Sequence, residues 1–223
     1  MLIYSTATRN GYQPMPDMTP VVIVVDDDVS TREGLEALLE AAGWPVKSFA
    51  TATAFLSWEA PSVASCLILD VGLPDLNGLD LQTLIAGERP QMPIIFITGA
   101  GDIPTTVRAM KAGATEFLTK PLSDDILLPA VERAIALSQA VVEEKAGSQA
   151  LQDRYDALSP RERQVMALVV SGLLNKQAGW ELGISEITVK AHRGRVMEKM
   201  QAKSFAALVK MSERLGFEAA SRH

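Results

Sequence analysis

The chain has 223 residues, of which 48% are hydrophobic and 22% are charged, and its formal net charge is −6. This length and balance are typical of one medium and one small globular domain, and they exclude a disordered chain. The longest apolar runs are far shorter than the roughly 20 residues that a membrane-spanning helix needs, so no membrane partner is expected.

The charge is divided unevenly along the chain. Residues 151–223 contain 12 Lys and Arg against 8 Asp and Glu, whereas residues 1–150 contain 9 against 19. A basic second part indicates a polyanionic partner.

Residues 1–19 lack the features of a signal peptide and are predicted to form a flexible leader. The single cysteine, Cys66, is expected to be a buried, inert thiol, and a cytoplasmic location is expected.

Short apolar strands alternate with amphipathic helices between residues 20 and 140. The predicted strands are Val21–Val25, Val46–Phe49, Cys66–Leu69, Ile94–Ile97 and Glu116–Leu118, with helices near 30–42, 52–58, 78–88, 104–112 and 123–140. This pattern predicts an α/β fold, with a doubly wound parallel five-stranded sheet covered on both faces. Ligands bind such folds beyond the carboxyl ends of the strands, so the residues that follow each strand are candidate site residues.

Acids, a hydroxyl and a lysine follow these strands. The first strand is followed by Asp26, Asp27 and Asp28, the third by Asp70, the fourth by Thr98, and the fifth by Lys120. Clustered carboxylates repel, and a raised pKa or a bound cation relieves the repulsion. Oxygen ligands without His or Cys favour Mg²⁺. Asp70 could then accept a phosphoryl group, with Lys120 and Thr98 contacting the phosphoryl oxygens.

The same residues are also compatible with simpler roles. Each acid alone could be solvated or cap the next helix, and Lys120 could form only a salt bridge, although their placement at one sheet edge favours a site. A Mg²⁺-dependent phosphohydrolase is another alternative; haloacid-dehalogenase-like enzymes, however, carry their nucleophile after the first strand. Asp28 is expected to face the start of the next helix, where Ser30 and Glu33 in "STRE" indicate a capping box.

Residues 20–140 resemble the receiver domain of two-component response regulators, in the flavodoxin/CheY-like superfamily. The matching stretches are "VVDDD", "LILDVGLPDLNGLDL" and "IIFITGAGDIPTTVRAMKAGATEFLTKP". The resemblance implies that Asp70 is the phospho-acceptor. It also implies that Asp27 ligates Mg²⁺ directly, that Asp26 assists largely through water, and that the carbonyl of Gly72 is a further ligand.

The same resemblance implies a switch beside the acceptor. Thr98 would be the switch hydroxyl, Phe117 its aromatic partner, and Lys120, followed by a cis peptide, would pair with a phosphoryl oxygen. Gly72 and Ala100 are small where the family often carries larger polar residues. Neither side chain can hold an attacking water, so slow self-hydrolysis of the phosphorylated aspartate is expected.

A helical linker, residues 138–156, is predicted to join the domains. Seam positions Val131, Ile135, Ser138 and Val142 are followed by a break at "EEKAGSQ" and by Leu151, Tyr155 and Leu158. Three alternatives stay open: a continuous helix that pairs between protomers, a helix broken at Gly147, and a solvated spacer.

Residues 157–223 are helical in pattern and have helix-turn-helix order. Ser159 with Glu162 indicates a helix start, and Gly172, Gly183 and Gly216 indicate helix ends. A short helix, a turn through residues 182–184 and a longer basic helix from Ser185 to Met200 follow one another.

This domain resembles the LuxR/NarL-type four-helix DNA-binding domain, through "LSPRERQVMALVVSGLLNKQ" and "LGISEITVKAHRGRVMEKM". The resemblance implies that the helix from Ser185 to Met200 enters the major groove. Base-facing positions would be Lys190, Ala191 and Gly194; phosphate contacts would come from Thr188, Arg193, Arg195 and Lys199, and backbone contacts from Asn175 and Lys176. Two small residues on this face indicate few direct hydrogen bonds to bases, so specificity would lean on methyl contacts and DNA shape.

Nearly the whole chain resembles the FixJ/NarL subgroup of response regulators. This implies a receiver domain over 20–137, a DNA-binding domain over 157–223 and no enzymatic turnover. The implied partners are a sensor histidine kinase, double-stranded DNA and a second copy of the phosphorylated chain, with RNA polymerase as a further candidate. A constitutive DNA binder with a vestigial receiver stays open, although the intact Asp27, Asp70, Thr98 and Lys120 argue against it.

Overall fold

The computed structural model describes residues 19–99 and 101–217. The leader predicted for residues 1–19 therefore lies outside the described residues, apart from Thr19. The chain divides into two compact units, residues 1–142 and 143–223. Within the described ranges, no helix combines the length and the apolar character needed to cross a bilayer.

The first unit is built around a five-stranded parallel sheet, which confirms the predicted fold class. Its strands are β1 (Val21–Val25), β2 (Val46–Phe49), β3 (Ser65–Asp70), β4 (Ile94–Thr98) and β5 (Glu116–Thr119), in the order β2-β1-β3-β4-β5. The helices are α1 (Val29–Ala41), α2 (Ala52–Leu56), α3 (Gly78–Ile85), α4 (Ile103–Lys111) and α5 (Asp124–Asp156). Strands β1 and β3 are neighbours in register, so the residues that end them reach the same sheet edge.

The sheet is buried on both faces. On one face Ile23, Leu67 and Phe96 join side chains of α2, α3 and α4 in one hydrophobic cluster. Because successive side chains of a strand point to opposite faces, Val22 and Ile68 join α1 and α5 in a second cluster. Double burial explains why the inner strands β1, β3 and β4 are largely continuous apolar runs rather than alternating ones, whereas the edge strands β2 and β5 are only partly buried.

Helix α5 continues without interruption past Gly147 as far as Asp156, so the broken-helix alternative is wrong. Ile135 and Ser138 are buried in the first unit, so this part of the supposed seam is not available for pairing between protomers. The hydroxyl of Ser138 accepts the N–H of Ser65 at 2.8 Å. Leu151, near the other end of the helix, belongs to the core of the second unit.

The second unit contains α6 (Pro160–Val170), α7 (Asn175–Leu182), α8 (Glu186–Lys199) and α9 (Phe205–Arg214), which confirms the helix-turn-helix order. Ser159 and Glu162, which were predicted to mark a helix start, form a capping box at the start of α6. Gly183 ends α7 in the left-handed conformation, with φ of 64°. A Cβ at Gly179 would lie 2.7 Å from the carbonyl oxygen of Ile184, so α7 packs against the turn through a residue without a side chain.

Candidate functional site

Three carboxylates form a cluster at the carboxyl edge of the sheet. One oxygen from each of Asp26, Asp27 and Asp70 lies within 4.8 Å of the others. Asp26 is fully buried and Asp70 is 8% exposed, whereas Asp27 faces solvent. Carboxylates this close repel each other, so the cluster can hold a metal cation.

Lys120 lies between two of the three carboxylates. Its Nζ is 2.7 Å from Asp26 Oδ2 and 2.9 Å from Asp70 Oδ2. Burial alone would lower the pKa of Lys120, but the hydrogen bonds to the two carboxylates outweigh burial and raise its pKa. The peptide between Lys120 and Pro121 is cis, as predicted. One ammonium against three carboxylates leaves the cluster short of positive charge.

Both carboxylate oxygens of Asp26 are engaged by the protein. Oδ1 accepts the N–H of Asp28 at 2.9 Å, and Oδ2 accepts a hydrogen bond from Lys120. Burial raises the pKa of Asp26, although the hydrogen bonds from Lys120 and from the Asp28 N–H oppose that rise. Among the clustered acids, Asp27 therefore has the carboxylate most open to a ligand from solvent.

Asp28 is separated from this cluster by its role in α1. It is the N-cap residue, and its carboxylate accepts the N–H of Thr31 at 2.7 Å, which lowers the pKa of Asp28. Because α1 begins at Val29, Ser30 already lies inside the first turn. The predicted capping box of Ser30 and Glu33 is therefore wrong, and Asp28 itself satisfies the free N–H group.

The two switch candidates lie on neighbouring strands. Thr98 ends β4 and is 6% exposed, and Phe117 lies on β5 with its ring 6.0 Å from that of Phe96. A Cβ at Gly101 would lie 3.4 Å from both the Phe117 ring and the Thr98 methyl group, so both side chains border the same glycine. Ala100 lies outside the described residues.

The loop after β3 is fixed by hydrogen bonds that were not predicted from the sequence. Gly72 donates its N–H to Asp70 Oδ1 at 3.1 Å. Asp75 accepts the N–H of Ala52 at 3.2 Å, and the N–H and hydroxyl of Thr53 at 2.9 and 2.7 Å. The N–H of Thr53 is the main cause of the lowered pKa of Asp75. The sequence signal that could have indicated this role of Asp75 was its place beside a proline, in the loop that follows Asp70.

Helix α8 exposes most of the residues predicted to face DNA. Lys190, Ala191, Gly194 and Arg195 are exposed, and Lys176 is exposed on α7. The buried side chains of α8 are Val189 and Val196. The exposed side of α8 is therefore the side on which the base-facing residues were predicted.

Three other predicted contact residues also have partners within the unit. Arg193 donates to Asn175 Oδ1 at 3.3 Å, and its guanidinium lies 4.6 Å from the centre of the Phe205 ring. The hydroxyl of Thr188 lies 2.8 Å from that of the N-cap residue Ser185. These contacts fix the start of α8 and tie it to α7 and α9.

Lys199 has a structural partner that was not predicted from the sequence. Its Nζ lies 2.7 Å from Oε2 of Glu162, whose side chain is 4% exposed. The hydrogen bond from Lys199, followed by that from the Ser159 N–H, lowers the pKa of Glu162 to about 2. The phosphate contact predicted for Lys199 stays a prediction, and it competes with this ion pair.

A carboxylate cluster with a lysine at the edge of a parallel sheet, followed by a basic helix-turn-helix, defines the class of two-component response regulators with a DNA-binding domain. Residues 22–132 match the response regulator receiver domain family, and residues 156–212 match the family of bacterial regulatory proteins, luxR family. The chain belongs to the response regulators that combine these two domains.

The similarity to known proteins extends over most of the chain. The chain is 50% identical to nodulation protein W of Bradyrhizobium diazoefficiens, over 89% of this chain and 88% of that protein. It is 40% identical to the transcriptional regulatory protein FixJ of the same species, over 87% and 95%. The solved structure of the response regulator StyR is 44% identical, covers 88% of this chain and 99% of that one, and superposes with a TM-score of 0.81. The family is one of transcriptional regulators; its receiver domain implies a histidine kinase partner and its luxR-type domain implies DNA binding.

Proposed function

We propose that a sensor histidine kinase phosphorylates Asp70, and that phosphorylation promotes a homodimer that binds DNA and regulates transcription. The observation that carries this proposal is the position of Asp70: it ends β3, is 8% exposed, and lies 2.9 Å from the ammonium of Lys120 within a cluster of acids. A carboxylate with a cation on one side and an exposed acid on another is suited to accept a phosphoryl group.

In this reaction an Asp70 oxygen attacks the phosphorus of the kinase's phosphohistidine. A P–O bond forms, the P–N bond breaks, and the electron pair leaves with the imidazole. Lys120 then contacts the transferred phosphoryl oxygens. The residues that would hold Mg²⁺ are Asp27 and Asp70, the Gly72 carbonyl and, through water, Asp26; the all-oxygen donor set supports this choice. Bound there, the ion supplies positive charge against the carboxylates and the phosphoryl oxygens.

The proposed switch joins the pocket to a dimer face. Thr98 would move toward the phosphoryl group and Phe117 would follow into the space that Thr98 leaves. Three apolar side chains of α4 support a dimer on the face of α4, β5 and α5: Ile103 is 80% exposed, Val107 44% and Met110 43%. A dimer would present two α8 helices to adjacent major grooves, about one turn of DNA apart.

The remaining parts of the proposal concern the DNA-binding unit and the cellular setting. Lys190, Ala191 and Gly194 would face base edges, and Arg195 and Lys176, both exposed, would contact phosphates. Thr188, which contacts Ser185, and Arg193, which donates to Asn175, would add phosphate contacts, and Asn175 would contact the DNA backbone. We also propose a cytoplasmic location and RNA polymerase as a further partner. The proposed domain limits are 20–137 and 157–223, with a linker over 138–156 that adds Ser138 to the packing of the first unit and Leu151 to the core of the second.

The test is phosphorylation of the full chain with an acyl phosphate donor and Mg²⁺, followed by phosphate-affinity electrophoresis and DNA selection. We expect a phosphorylated species that Asp70→Asn abolishes and that enriches specific DNA more strongly than the unphosphorylated chain. Asp80→Asn, which changes an exposed acid of α3, is the matched control and should be phosphorylated normally. An Asp70→Asn variant that is still phosphorylated, or that binds DNA as switchably as wild type, would contradict the proposal.

A further inference from the structure

A large apolar side chain lies on the surface of α8 at a position for which no role was predicted from the sequence. Ile187 is 82% exposed, in the first turn of the helix. A single exposed aliphatic residue is ordinary on a protein surface and by itself indicates no site. Its position on this helix, however, is informative.

The position of Ile187 follows from helix geometry. Residues of an α-helix are spaced by about 100° around the axis, so Ile187 points about 180° away from the fully buried Val196, nine residues later. Lys190, Ala191 and Gly194 are three, four and seven residues after Ile187, so all four lie within one stripe. The structure leaves each member of this stripe exposed.

The stripe is mostly apolar or without a side chain. Lys190 is its only charged member, and Ala191 and Gly194 are too short to hydrogen-bond a base edge. Ile187 is therefore the largest apolar side chain that this stripe can bring to the floor of a groove. The N-terminal residues of a helix-turn-helix recognition helix are those that contact base edges, and the only apolar group in the major groove is the 5-methyl group of thymine.

We propose that Ile187 is a specificity-determining residue that contacts a thymine methyl group in each half-site. The proposal rests on the proposed DNA-binding function of α8. Ile187 and Lys190 are separated by about 4.5 Å along the helix axis, so the thymine lies within about two base pairs of the base that Lys190 contacts. Removing a buried methyl group costs about 0.8 kcal/mol, which is about a four-fold change in affinity.

The test begins with selection of DNA by the phosphorylated full chain from a randomised pool. Each invariant thymine of the selected half-site is then replaced by deoxyuridine, which lacks only the 5-methyl group. We expect one such replacement to weaken wild-type binding about four-fold and to leave Ile187→Ala within about 1.5-fold. Replacing a non-contacted thymine is the control on the DNA, and Leu84→Ala, which truncates an exposed leucine of α3, is the control on the protein.

A second arm restores the methyl group without thymine. A cytosine at the contacted position should bind more weakly than 5-methylcytosine by a similar factor for wild type, and equally for Ile187→Ala. Wild-type binding that is indifferent to every methyl group, or an Ile187→Ala variant that keeps the full methyl dependence, overturns the proposal while leaving sequence-specific binding intact. Failure to enrich any sequence would instead contradict the DNA-binding function on which the proposal rests.

Discussion

The ion pair between Glu162 and Lys199 gives a quantitative prediction for the second unit. Glutamine at position 162 can still accept the N–H of Ser159, so Glu162→Gln keeps the capping bond but removes the charge that faces Lys199. The pKa of Glu162 is about 2, against 4.5 for an unperturbed glutamate. At about 1.4 kcal/mol for each tenfold change in proton affinity, this difference corresponds to about 3 kcal/mol of stability.

Solvent screening reduces this figure, because 40% of the Lys199 side chain is exposed. We therefore expect Glu162→Gln to lower the free energy of unfolding of this unit by about 1 to 2 kcal/mol at pH 7. The sign of the pH dependence follows from the lowered pKa. The contribution of Glu162 is fully present above pH 4.5 and is lost as the pH falls from 4.5 toward 2.

The assay is hydrogen exchange with mass spectrometry on the full chain, following peptides from α6. At pH 7, Glu162→Gln should exchange about 5- to 30-fold faster than wild type, and the two should converge as the pH falls toward 2. Glu213→Gln, which changes an exposed glutamate of α9, should exchange like wild type at every pH. Equal protection of Glu162→Gln and wild type at pH 7, or a difference that persists unchanged at low pH, would refute the reasoning.

Three further predictions concern the receiver. A Cβ at Gly78 would lie 2.5 Å from the Asp70 carbonyl oxygen, so Gly78→Ala should lower the free energy of unfolding of the receiver by about 1 to 3 kcal/mol in denaturant titrations. Gly34→Ala is the control: its Cβ would have no packing neighbour within 4 Å, so the change should be neutral or stabilising. Equal effects of the two changes would contradict the packing argument. Mg²⁺ at 100 times its dissociation constant should stabilise wild type by about 2.7 kcal/mol, measured as a rise in melting temperature that chelation reverses, and Asp27→Asn should show a much smaller rise. Gly72→Asn places a polar side chain near Asp70 and should speed the loss of the phosphoryl group, which time-resolved electrophoresis would measure. An unchanged lifetime of the phosphorylated form would show that the small residue at position 72 does not cause slow hydrolysis.

The features of this molecule that could be predicted from its sequence are those that leave a local pattern, such as strands, strand ends and helix caps. Double burial produces uninterrupted apolar runs in the inner strands, so β1, β3 and β4 were recognisable, and the parallel-sheet rule then placed Asp26, Asp70 and Lys120 at one edge. The helix start marked by Ser159 and Glu162 was predicted because the two residues, which form a capping box, are local in sequence. The Glu162–Lys199 pair joins residues 37 apart, and no local pattern marks such a contact.

Two errors have local physical causes. Asp28 and Ser30 are both good N-cap residues by type. The helix begins at Val29, where the Asp28 carboxylate accepts the N–H of Thr31, so Ser30 lies inside the first turn and does not cap it. Spacing alone also could not distinguish a seam between protomers from a face buried within one unit. Ser138 fitted either arrangement, and only the fold shows that its hydroxyl accepts the N–H of Ser65 on the first residue of β3.

Helix α5 has a practical consequence for anyone who wishes to separate the two units. Its first half contributes Leu127 and Ile135 to one core, while Leu151 contributes to the other, where it joins Met200 and Leu208. A fragment that starts at residue 157 would lose Leu151 and leave that apolar cluster uncovered. A fragment that ends before residue 138 would lose the hydroxyl that satisfies Ser65. Helix α5 therefore completes the packing of both units, so proteolytic or recombinant dissection should cut between residues 142 and 150.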